Sequence, residues 1–530
     1  MTTAVRARPR ATVPAGAEND VRLQMFNAFM SCPHRDTEVA QKVHEDLQAK
    51  DPLFYAHLAC WYRKQGDQLR DHNELFAALL MTDPYVENRE TGLALFRDHA
   101  VFMKDRILGF IKGKVVKIRE KTGKKIKQGK KLHDEVKITE KKVGLEKNLP
   151  TSLRTEVENF LQWLEQDPTR FDAVALKNGK ALKNLYFAKG KHGFKHSERA
   201  QKVLFEKEYP KDSKLNVLKE VAEAKTPEAA AKLIVANKLP YNVAVGLVDK
   251  ITPTILVALI DAMSPQEVIN NMASLQDQGA LDNPDTKKLI EAKLEKAKKS
   301  SHVSSLKAKT ATGTGRIKDE GIARKMDDVA DAQVMKTGTI NVNTAEFVDR
   351  SGSMSEAIEV GKRVASLISG VTTADLFVVA FDDSPMEIKA NGKTLSDWER
   401  AFAPVRSGGS TSMACALRYL HAKKMVVDQI VVITDEGENC SPTFAAVYPE
   451  YCKAFNVTPH VVIIHVGGQQ DTTFSQSLKR AGIAYDLYTP NAKDNYSLPG
   501  LVTLLSRKSK LDLVMEIMDV PLLKRKAFHL

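Results

Sequence analysis

The sequence predicts a multidomain protein: an all-α, HEAT-like helical-repeat module followed by a doubly wound, Rossmann-like α/β domain with a parallel sheet. Residues 20–299 alternate short helices with short turns, whereas from residue 336 short β-branched apolar runs alternate with helical segments. A chain of 530 residues is also long for one hydrophobic core. We expect a disordered basic arm in 1–19, the helical module in 20–299, a polar linker in 300–335 and the α/β domain in 336–530.

Helix-start signals divide the helical module into short helices. Apolar residues recur at helical spacing in runs such as Leu53–Trp61. The pairs Asp51–Pro52, Thr226–Pro227 and Thr252–Pro253 place proline where the first helical turn accepts it. The segment Ser264–Glu267 has the pattern of a capping box. Because each helix pair would bury its apolar face on the next pair, we expect a solenoid-like stack.

The α/β domain is indicated by runs that do not alternate apolar with polar residues. Leu376–Phe381, Gln429–Thr434 and His460–Val466 are almost wholly apolar, and Asn341–Val348 has a similar strand-like character. Strands of this kind are buried on both faces, as they are when helices cover both sides of a parallel sheet.

The charge distribution indicates that the helical module meets a polyanion. The net charge is +13, yet residues 341–530 carry 20 Lys and Arg against 21 Asp and Glu, so residues 1–340 carry the remaining 59 against 45. A generically basic protein is the alternative. No apolar stretch predicts a membrane span, and the five cysteines form no CxxC pair, so reduced thiols in a cytoplasm fit best.

Residues 112–131 concentrate this positive charge. They contain ten Lys and Arg, including Lys124 and Lys125, but Glu120 is their single acid. Glycines at 113, 123 and 129 interrupt any helix, so we expect a Lys-rich mobile loop or a hairpin. Such charge runs are usually just solvated, and contact with RNA phosphates is the functional alternative.

A candidate metal site follows the predicted strand Asn341–Val348. In Asp349-Arg350-Ser351-Gly352-Ser353, oxygen ligands two residues apart on one loop can face one hard cation such as Mg²⁺. Ligands gather at the carboxyl edge of an open α/β sheet, where Thr411, in the loop Gly408–Thr411, and Asp435, after another strand, should complete the shell. A chance DxSxS in a turn is the alternative.

A second constellation surrounds a turn between helices. It runs from Lys189 to Arg199 and combines basic residues with Phe194 and two histidines. Lysines neutralise phosphates, and aromatic rings can stack on splayed bases. The candidate RNA-binding residues here are Lys183, Lys189, Lys191, Lys195, His196 and Arg199. The alternative is a basic interhelical turn in which Phe194 plugs the core and His196 caps a helix.

These two constellations carry a resemblance to a known family. The metal motif resembles the metal-ion-dependent adhesion site of von Willebrand factor A (vWA) domains, although Ser410 intervenes before Thr411 and stays an alternative ligand. Gly193-Phe194-Lys195-His196 resembles the signature turn of the TROVE module, with Phe where Trp is usual. The segments Leu239–Leu247 and Met263–Met272 resemble later TROVE helices. The order of TROVE and then vWA is that of Ro ribonucleoproteins.

The resemblance implies a ring of HEAT-like helices closed by a vWA domain that holds Mg²⁺ or another divalent cation. Its implied partners are small structured noncoding (Y-like) RNAs, single-stranded 3′ ends of misfolded RNAs and an exoribonuclease, in RNA quality control or stress. A metal-dependent protein adaptor is the alternative function. We expect no enzyme activity, because no paired-carboxylate, P-loop or nucleophile–base set stands out.

Overall fold

A computed structural model describes most of the chain. It covers residues 37–64, 70–128, 131–190, 193–300, 317–334, 338–352, 354–466, 472–488 and 510–525, with single positions between them. From 114 to 141 it describes the backbone, but of the side chains only Val115 and Glu140. No helix in these ranges combines the length and the apolar character that crossing a bilayer requires.

The first group of helices has a dense aromatic core. It includes α1 (Thr37–Lys50), α2 (Pro52–Lys64), α3 (Arg70–Met81), α4 (Val86–Asp98) and α5 (Val101–Lys112). The Asp51 carboxylate accepts the Phe54 N–H at 2.8 Å and so caps α2, as the Asp–Pro pair predicts. Phe54, Trp61 and Phe76 are buried together in this core.

The Lys-rich segment is a long antiparallel hairpin. Strands β1 (Lys114–Gln128) and β2 (Lys131–Val143) pair from Lys114↔Val143 to Gln128↔Lys131, so the hairpin extends beyond the predicted 112–131. At its root, Gly144 has a φ of +132°, and an added Cβ would clash with the Phe110 carbonyl oxygen. The sequence is compatible with either a mobile loop or a hairpin, and the strand pairing shows that the segment is a hairpin.

A second group of helices follows the hairpin. It includes α6 (Thr151–Glu165), α7 (Pro168–Tyr186), a 3-10 turn (Phe187–Lys189), α8 (Glu198–Ala200, continued as a π-helix over Gln201–Glu206), α9 (Asn216–Ala222), α10 (Pro227–Ala236), α11 (Tyr241–Val245), α12 (Pro253–Ala262), α13 (Pro265–Asp277) and α14 (Pro284–Lys299). The Thr226 and Thr252 side chains cap α10 and α12, and Ser264 and Glu267 form the predicted capping box. The helical-repeat expectation is confirmed.

The polar segment 300–335 differs from the expected linker. Its second half forms α15 (Glu320–Val334), which packs on α14 in the same core. Ile322, Met326, Val329 and Ala330 are fully buried there. Their spacing of four, three and one residues makes a narrow apolar stripe on a helix rich in charged residues, and the composition of the segment alone does not reveal this stripe.

The α/β domain is built on a six-stranded sheet in the part that the structure describes. Its elements are β3 (Thr344–Asp349), α16 (Ser355–Val371), β4 (Leu376–Phe381), β5 (Pro385–Ile388), α17 (Leu395–Phe402), α18 (Met413–Ala422), β6 (Gln429–Thr434), α19 (Phe444–Phe455), β7 (His460–His465), α20 (Thr473–Arg480) and β8 (Tyr485–Tyr488). The strand order is β5-β4-β3-β6-β7-β8, and only β5 is antiparallel to its neighbour. Separate cores under α16 and under α18 cover the two faces, which confirms the doubly wound fold.

The end of the chain returns to the helical module, unlike the expected extent 336–530 of the α/β domain. Helix α21 (Lys510–Asp519) packs on α2, and Trp61 Nε1 donates to the Glu516 carboxylate at 2.9 Å. Arg525 pairs with Glu90 at 2.7 Å and with the buried Glu156 at 3.3 Å. The apolar residues Leu513, Val514 and Ile517 complete the first helical core.

Glu346 is a fully buried acid on the strand β3. It lies beside Val378 and Val431, and neither of its carboxyl oxygens has a hydrogen-bond partner among the described residues. Burial raises its pKa well above the ordinary value. The unfolded chain therefore ionises Glu346 at a lower pH than the folded protein does. Folding then retains a proton that the unfolded chain releases, so this group lowers stability increasingly as the pH rises from the unfolded pKa toward the folded one.

We therefore predict that Glu346→Met raises the free energy of unfolding by about 1–3 kcal/mol near neutral pH, since it removes a buried polar group without a partner. Urea denaturation at about pH 5 and about pH 8 measures the effect, which should be larger at the higher pH. Glu346→Gln is the control, because it removes the ionisation but keeps a polar group. Equal stability of Glu346→Met and wild type at both pH values would contradict the burial argument.

Candidate metal centre and nucleic-acid interface

The register of the sheet brings three loops to one edge. Asp349 at the end of β3 is paired with Phe381 at the end of β4, and Val348 is paired with Ile433 near the end of β6. All three strands are parallel, so the segments that follow them leave the sheet together. Asp349, Ser351 and Asp435 therefore lie at the same carboxyl edge, as the sequence predicts.

The Asp349 carboxylate is fully buried and held from two sides. One oxygen accepts the Ser351 N–H at 2.9 Å, and the other accepts the Thr434 hydroxyl at 2.7 Å. Burial raises the pKa of Asp349, and the nearby Asp435 carboxylate raises it further. Within the described residues, no cationic side chain is paired with Asp349.

The loop before α18 brings Thr411 to this edge. Its main chain is fixed, because Gly408 N–H donates to the Arg350 carbonyl at 2.8 Å and Thr411 N–H donates to the Asn439 side chain at 3.0 Å. The Thr411 side chain is buried, whereas Ser410 is exposed. In the sequence Thr411 and Ser410 are alternative ligands, and this difference in burial favours Thr411.

Two pairs of side chains that sequence reasoning missed support these loops. Arg350 pairs with Asp382 at 2.8 Å, so its charge is directed to the β4 loop. Glu436, next to Asp435, binds His465 Nδ1 at 3.1 Å. Each pair joins residues from two loops of the same edge, so a pattern along one strand does not reveal it.

The residues present fit a hard divalent cation. Two carboxylates and two hydroxyls, from Asp349, Asp435, Ser351 and Thr411, lie on loops at one edge of the sheet, and, besides burial, the Asp435 charge acts on the Asp349 carboxyl and raises its pKa. Oxygen donors of these kinds suit Mg²⁺ or Mn²⁺. Ser353, the remaining predicted ligand, lies outside the described residues. Among the described residues, no three or more His, Cys, Asp or Glu are grouped so that they could hold a metal ion, so a cation at this edge would need the hydroxyls as ligands.

The turn at 190–197 is anchored by a buried ring. Phe194 lies in the first helical core, and its N–H donates to the Tyr186 carbonyl at 2.8 Å. Gly193 has a φ of +64° there. The Ser197 hydroxyl accepts the Ala200 N–H and caps α8. Phe194 is thus a core residue, and Ser197, not His196, is the cap.

The basic residues of this turn divide into two kinds. Lys189, Lys195 and His196 are exposed, and Lys183 lies over the Phe205 ring with Nζ 4.7 Å from its centre. Arg199 instead pairs with the buried Asp172 at 2.7 Å, and with Asp212 at 2.9 Å. The side chains available to a ligand are therefore the lysines and His196. Lys191 lies outside the described residues.

The predicted residues of the hairpin are placed by their backbone alone. Lys125 is paired with Asp134, and Lys124 lies in the irregular stretch between the Lys121 and Lys125 pairs. Their side chains lie outside the described part of the structure.

Two aromatic residues that sequence reasoning missed adjoin the turn. Phe187 is 47% exposed, and its ring lies 5.9 Å from the ring of Phe205. The His196 ring lies 5.2 Å from Phe205. Their position around the Lys189–Arg199 segment could have suggested them, but Phe194 is the more obvious ring because it stands within the motif.

Comparison with solved structures finds a match that extends over nearly the whole chain. The Deinococcus radiodurans Ro (RSR) protein matches with a TM-score of 0.51 and 14% identity, over 95% of this chain and 96% of that chain. The chain shares the fold of this Ro protein. The resemblance read from the sequence is thereby confirmed at the level of the fold.

Smaller matches involve about a third of the chain. Mussel-byssus proximal thread matrix protein 1 with a zinc-occupied MIDAS motif has 16% identity and a TM-score of 0.26, over 32% of this chain and 48% of that one. A von Willebrand factor type A structure from Catenulispora acidiphila has 13% identity and a TM-score of 0.26, over 32% and 43%. No family model and no curated protein matches the sequence.

We predict that Arg199 stabilises the fold. The Asp172 side chain is 2% exposed and also accepts the Ser213 hydroxyl at 2.7 Å, so removing Arg199 leaves a buried carboxylate without its cation. Arg199→Ala should lower the free energy of unfolding by about 3 kcal/mol. Lys195→Ala, on the exposed side of the same turn, should change it by less than about 0.5 kcal/mol. Urea denaturation compares the two, and equal effects would contradict this division.

Proposed function

We propose that the protein binds small structured noncoding RNA on its helical module, in the manner of a Ro protein, and holds a divalent cation in its vWA-like domain. The observation that carries the RNA proposal is the cluster of exposed lysines and rings at the 190–197 turn. Lys189, Lys195 and His196 are exposed, the rings of Phe187 and His196 pack on Phe205, and the module's fold matches a Ro protein. Cations beside stackable rings suit RNA.

The charge of the whole chain supports the same proposal. Residues 1–340 hold an excess of 14 positive charges, whereas residues 341–530 are nearly neutral. Part of that excess lies on the hairpin, whose two paired strands both carry basic residues. A polyanion that contacts the turn would therefore meet a positive field along the module and not at one point.

Our proposal extends to the ligands, the protein partner and the cellular location of the chain. We propose Y-like RNAs and single-stranded 3′ ends of misfolded RNAs as ligands, an exoribonuclease as a partner and quality control or stress as the context. Cys60, Cys415, Cys440 and Cys452 carry free thiols, which favours a reducing cytoplasm as the location. We also propose that the protein binds RNA without cleaving it, and incubation of labelled RNA with purified protein and Mg²⁺ tests this.

In the vWA-like domain, Asp349, Ser351, Thr411 and Asp435 would hold the cation, with Ser353 as the further predicted ligand. A bound divalent ion would supply the positive charge that neutralises two neighbouring carboxylates. It would also offer an open coordination position to a further ligand. The chain's own contribution is to preorganise the donors: Thr434 and the Ser351 main chain orient Asp349, and Asn439 orients the Thr411 loop.

We predict that replacing Lys189 and Lys195 with alanine weakens RNA binding, because fewer phosphates are then neutralised. Filter binding of a labelled RNA hairpin with a single-stranded 3′ tail, across a salt series, is the measurement. The slope of log affinity against log salt should become shallower by about 0.7 for each phosphate that is no longer neutralised. The matched control is Lys453→Ala with Lys479→Ala, two exposed lysines of the vWA-like domain. Equal salt slopes for both double variants would show that the turn is not the RNA surface.

We predict that Asp349→Asn weakens Mn²⁺ binding by more than about tenfold, because it removes one negative charge and one ligand oxygen. Titration calorimetry of the full chain with MnCl₂ and MgCl₂ measures the affinity. Asp383→Asn is the matched control, since Asp383 is an exposed acid on the adjacent β4 loop. If the two variants bind Mn²⁺ as tightly as wild type, the assignment of the site is wrong.

A further inference from the structure

Phe187 is an exposed ring on a rigid base. Its neighbours in sequence, Tyr186 and Ala188, are buried in the first helical core, at 1% and 4% exposure, whereas Phe187 is 47% exposed. The Tyr186 carbonyl accepts the Phe194 N–H, so the end of α7 is tied to the turn. The Phe187 ring is therefore held outward on a fixed base, where a ligand can reach it.

The π-helix that continues α8 braces this ring from one side. Val203 and Leu204 are buried, and Phe205, which follows them, is half-buried. The rings of Phe187 and Phe205 are nearly perpendicular, at 88°, so Phe205 contacts Phe187 edge to face. A π-helix inserts one extra residue per turn and is often found at functional sites.

Two lysines lie close to Phe187 along the chain, and the acids of α8 and its π-helical continuation already have partners. Lys183 Nζ lies 4.7 Å from the Phe205 ring centre, so Lys183 occupies a face of Phe205 and not of Phe187. Lys189 follows Phe187 by two residues and is exposed, and its Nζ lies 5.6 Å from the centre of the Phe194 ring. Glu198 pairs with Lys202, and Glu206 accepts the Gln201 amide at 2.8 Å. The surroundings therefore suit a ligand that combines a flat apolar face with negative charge.

A nucleotide with an unpaired base fits this description. In a continuous duplex both faces of each base are covered by its neighbours, whereas an unpaired base offers a free face to an aromatic ring. The adjoining phosphate is then within the reach of lysines on either side. An apolar side chain of a protein partner could also cover the ring, but it would leave the flanking lysines without an anion.

We propose that Phe187 stacks on one unpaired base of the bound RNA, with Phe205 as its brace and Lys183 and Lys189 at the adjoining phosphates. This rests on the proposed RNA function and deepens it. The charged surface sets affinity for any RNA, and Phe187 makes the module prefer an RNA with an unpaired strand over a continuous duplex.

The test uses the full chain and two probes of similar charge. One is an RNA hairpin with a 3′ tail of unpaired adenosines that includes 2-aminopurine, and the other is a blunt RNA duplex. Phe187→Ala should lower affinity for the tailed RNA by about 5- to 100-fold, leave the duplex affinity unchanged and remove the quenching of 2-aminopurine. The salt slope should stay the same, because the substitution removes no cation.

The control variant is Phe102→Ala on α5. Phe102 is 46% exposed, so it matches Phe187 in residue type and exposure but stands on a different helix, outside the turn. It should leave the binding of both RNAs unchanged. Phe187→Trp retains a stacking ring and should preserve the preference for the tailed RNA. Thermal unfolding of each variant verifies that the fold is intact.

The outcomes separate the inference from the proposed function. If wild type binds the tailed RNA and Phe187→Ala binds it equally well, the stacking proposal is overturned and the RNA function stands. If Phe187→Ala weakens tailed and blunt RNA alike, the ring supports the fold of the turn and does not stack. If wild type binds neither RNA, both proposals fail.

Discussion

The parallel register of β3 between β4 and β6 is the constraint on which the candidate metal centre depends. Ala345 and Phe347 face one core of the domain and Val348 faces the other, so a slip of one residue would expose the wrong side chains to both. The hydrophobic pattern thereby fixes where β3 ends. Because the register of β3 is fixed by burial of its side chains, its last residue, Asp349, lies at the sheet edge beside Thr434.

The path of the chain explains how this domain is tied to the helices. The chain enters the sheet after α15, which belongs to the second helical core, and afterwards returns as α21, which belongs to the first. The α/β domain is thus inserted into a helical module, with a packed helix on each side. Two hydrogen bonds add specificity to the apolar packing of this end of the chain on the first helical core. His57 bonds to the Val520 carbonyl, and Trp61 bonds to Glu516.

The sequence predicted those features that depend on local patterns. Buried strands such as Gln429–Thr434 and proline-marked helix starts such as Pro253 are found where the sequence places them. The missed features depend on pairs distant in sequence. In the sequence Arg199 is one more cation of a basic turn, and only the fold brings Asp172 against it. The motif draws attention to Phe194, whereas the exposure of Phe187 follows only from the way the core packs around the turn.

The different roles of Arg199 and of the lysines in this turn have a physical reason. Arginine offers a planar, permanently charged fork that suits a buried carboxylate such as Asp172, whereas lysine carries a compact, strongly hydrated charge on a flexible stem. Within the described part of the turn, the arginine stabilises the fold and the lysines stay in solvent. Lysines of this kind follow phosphates without fixing their geometry, so they give affinity but little selectivity. Any selectivity at this surface must then come from its rigid groups, which are the rings anchored by the same core that Arg199 helps to hold together.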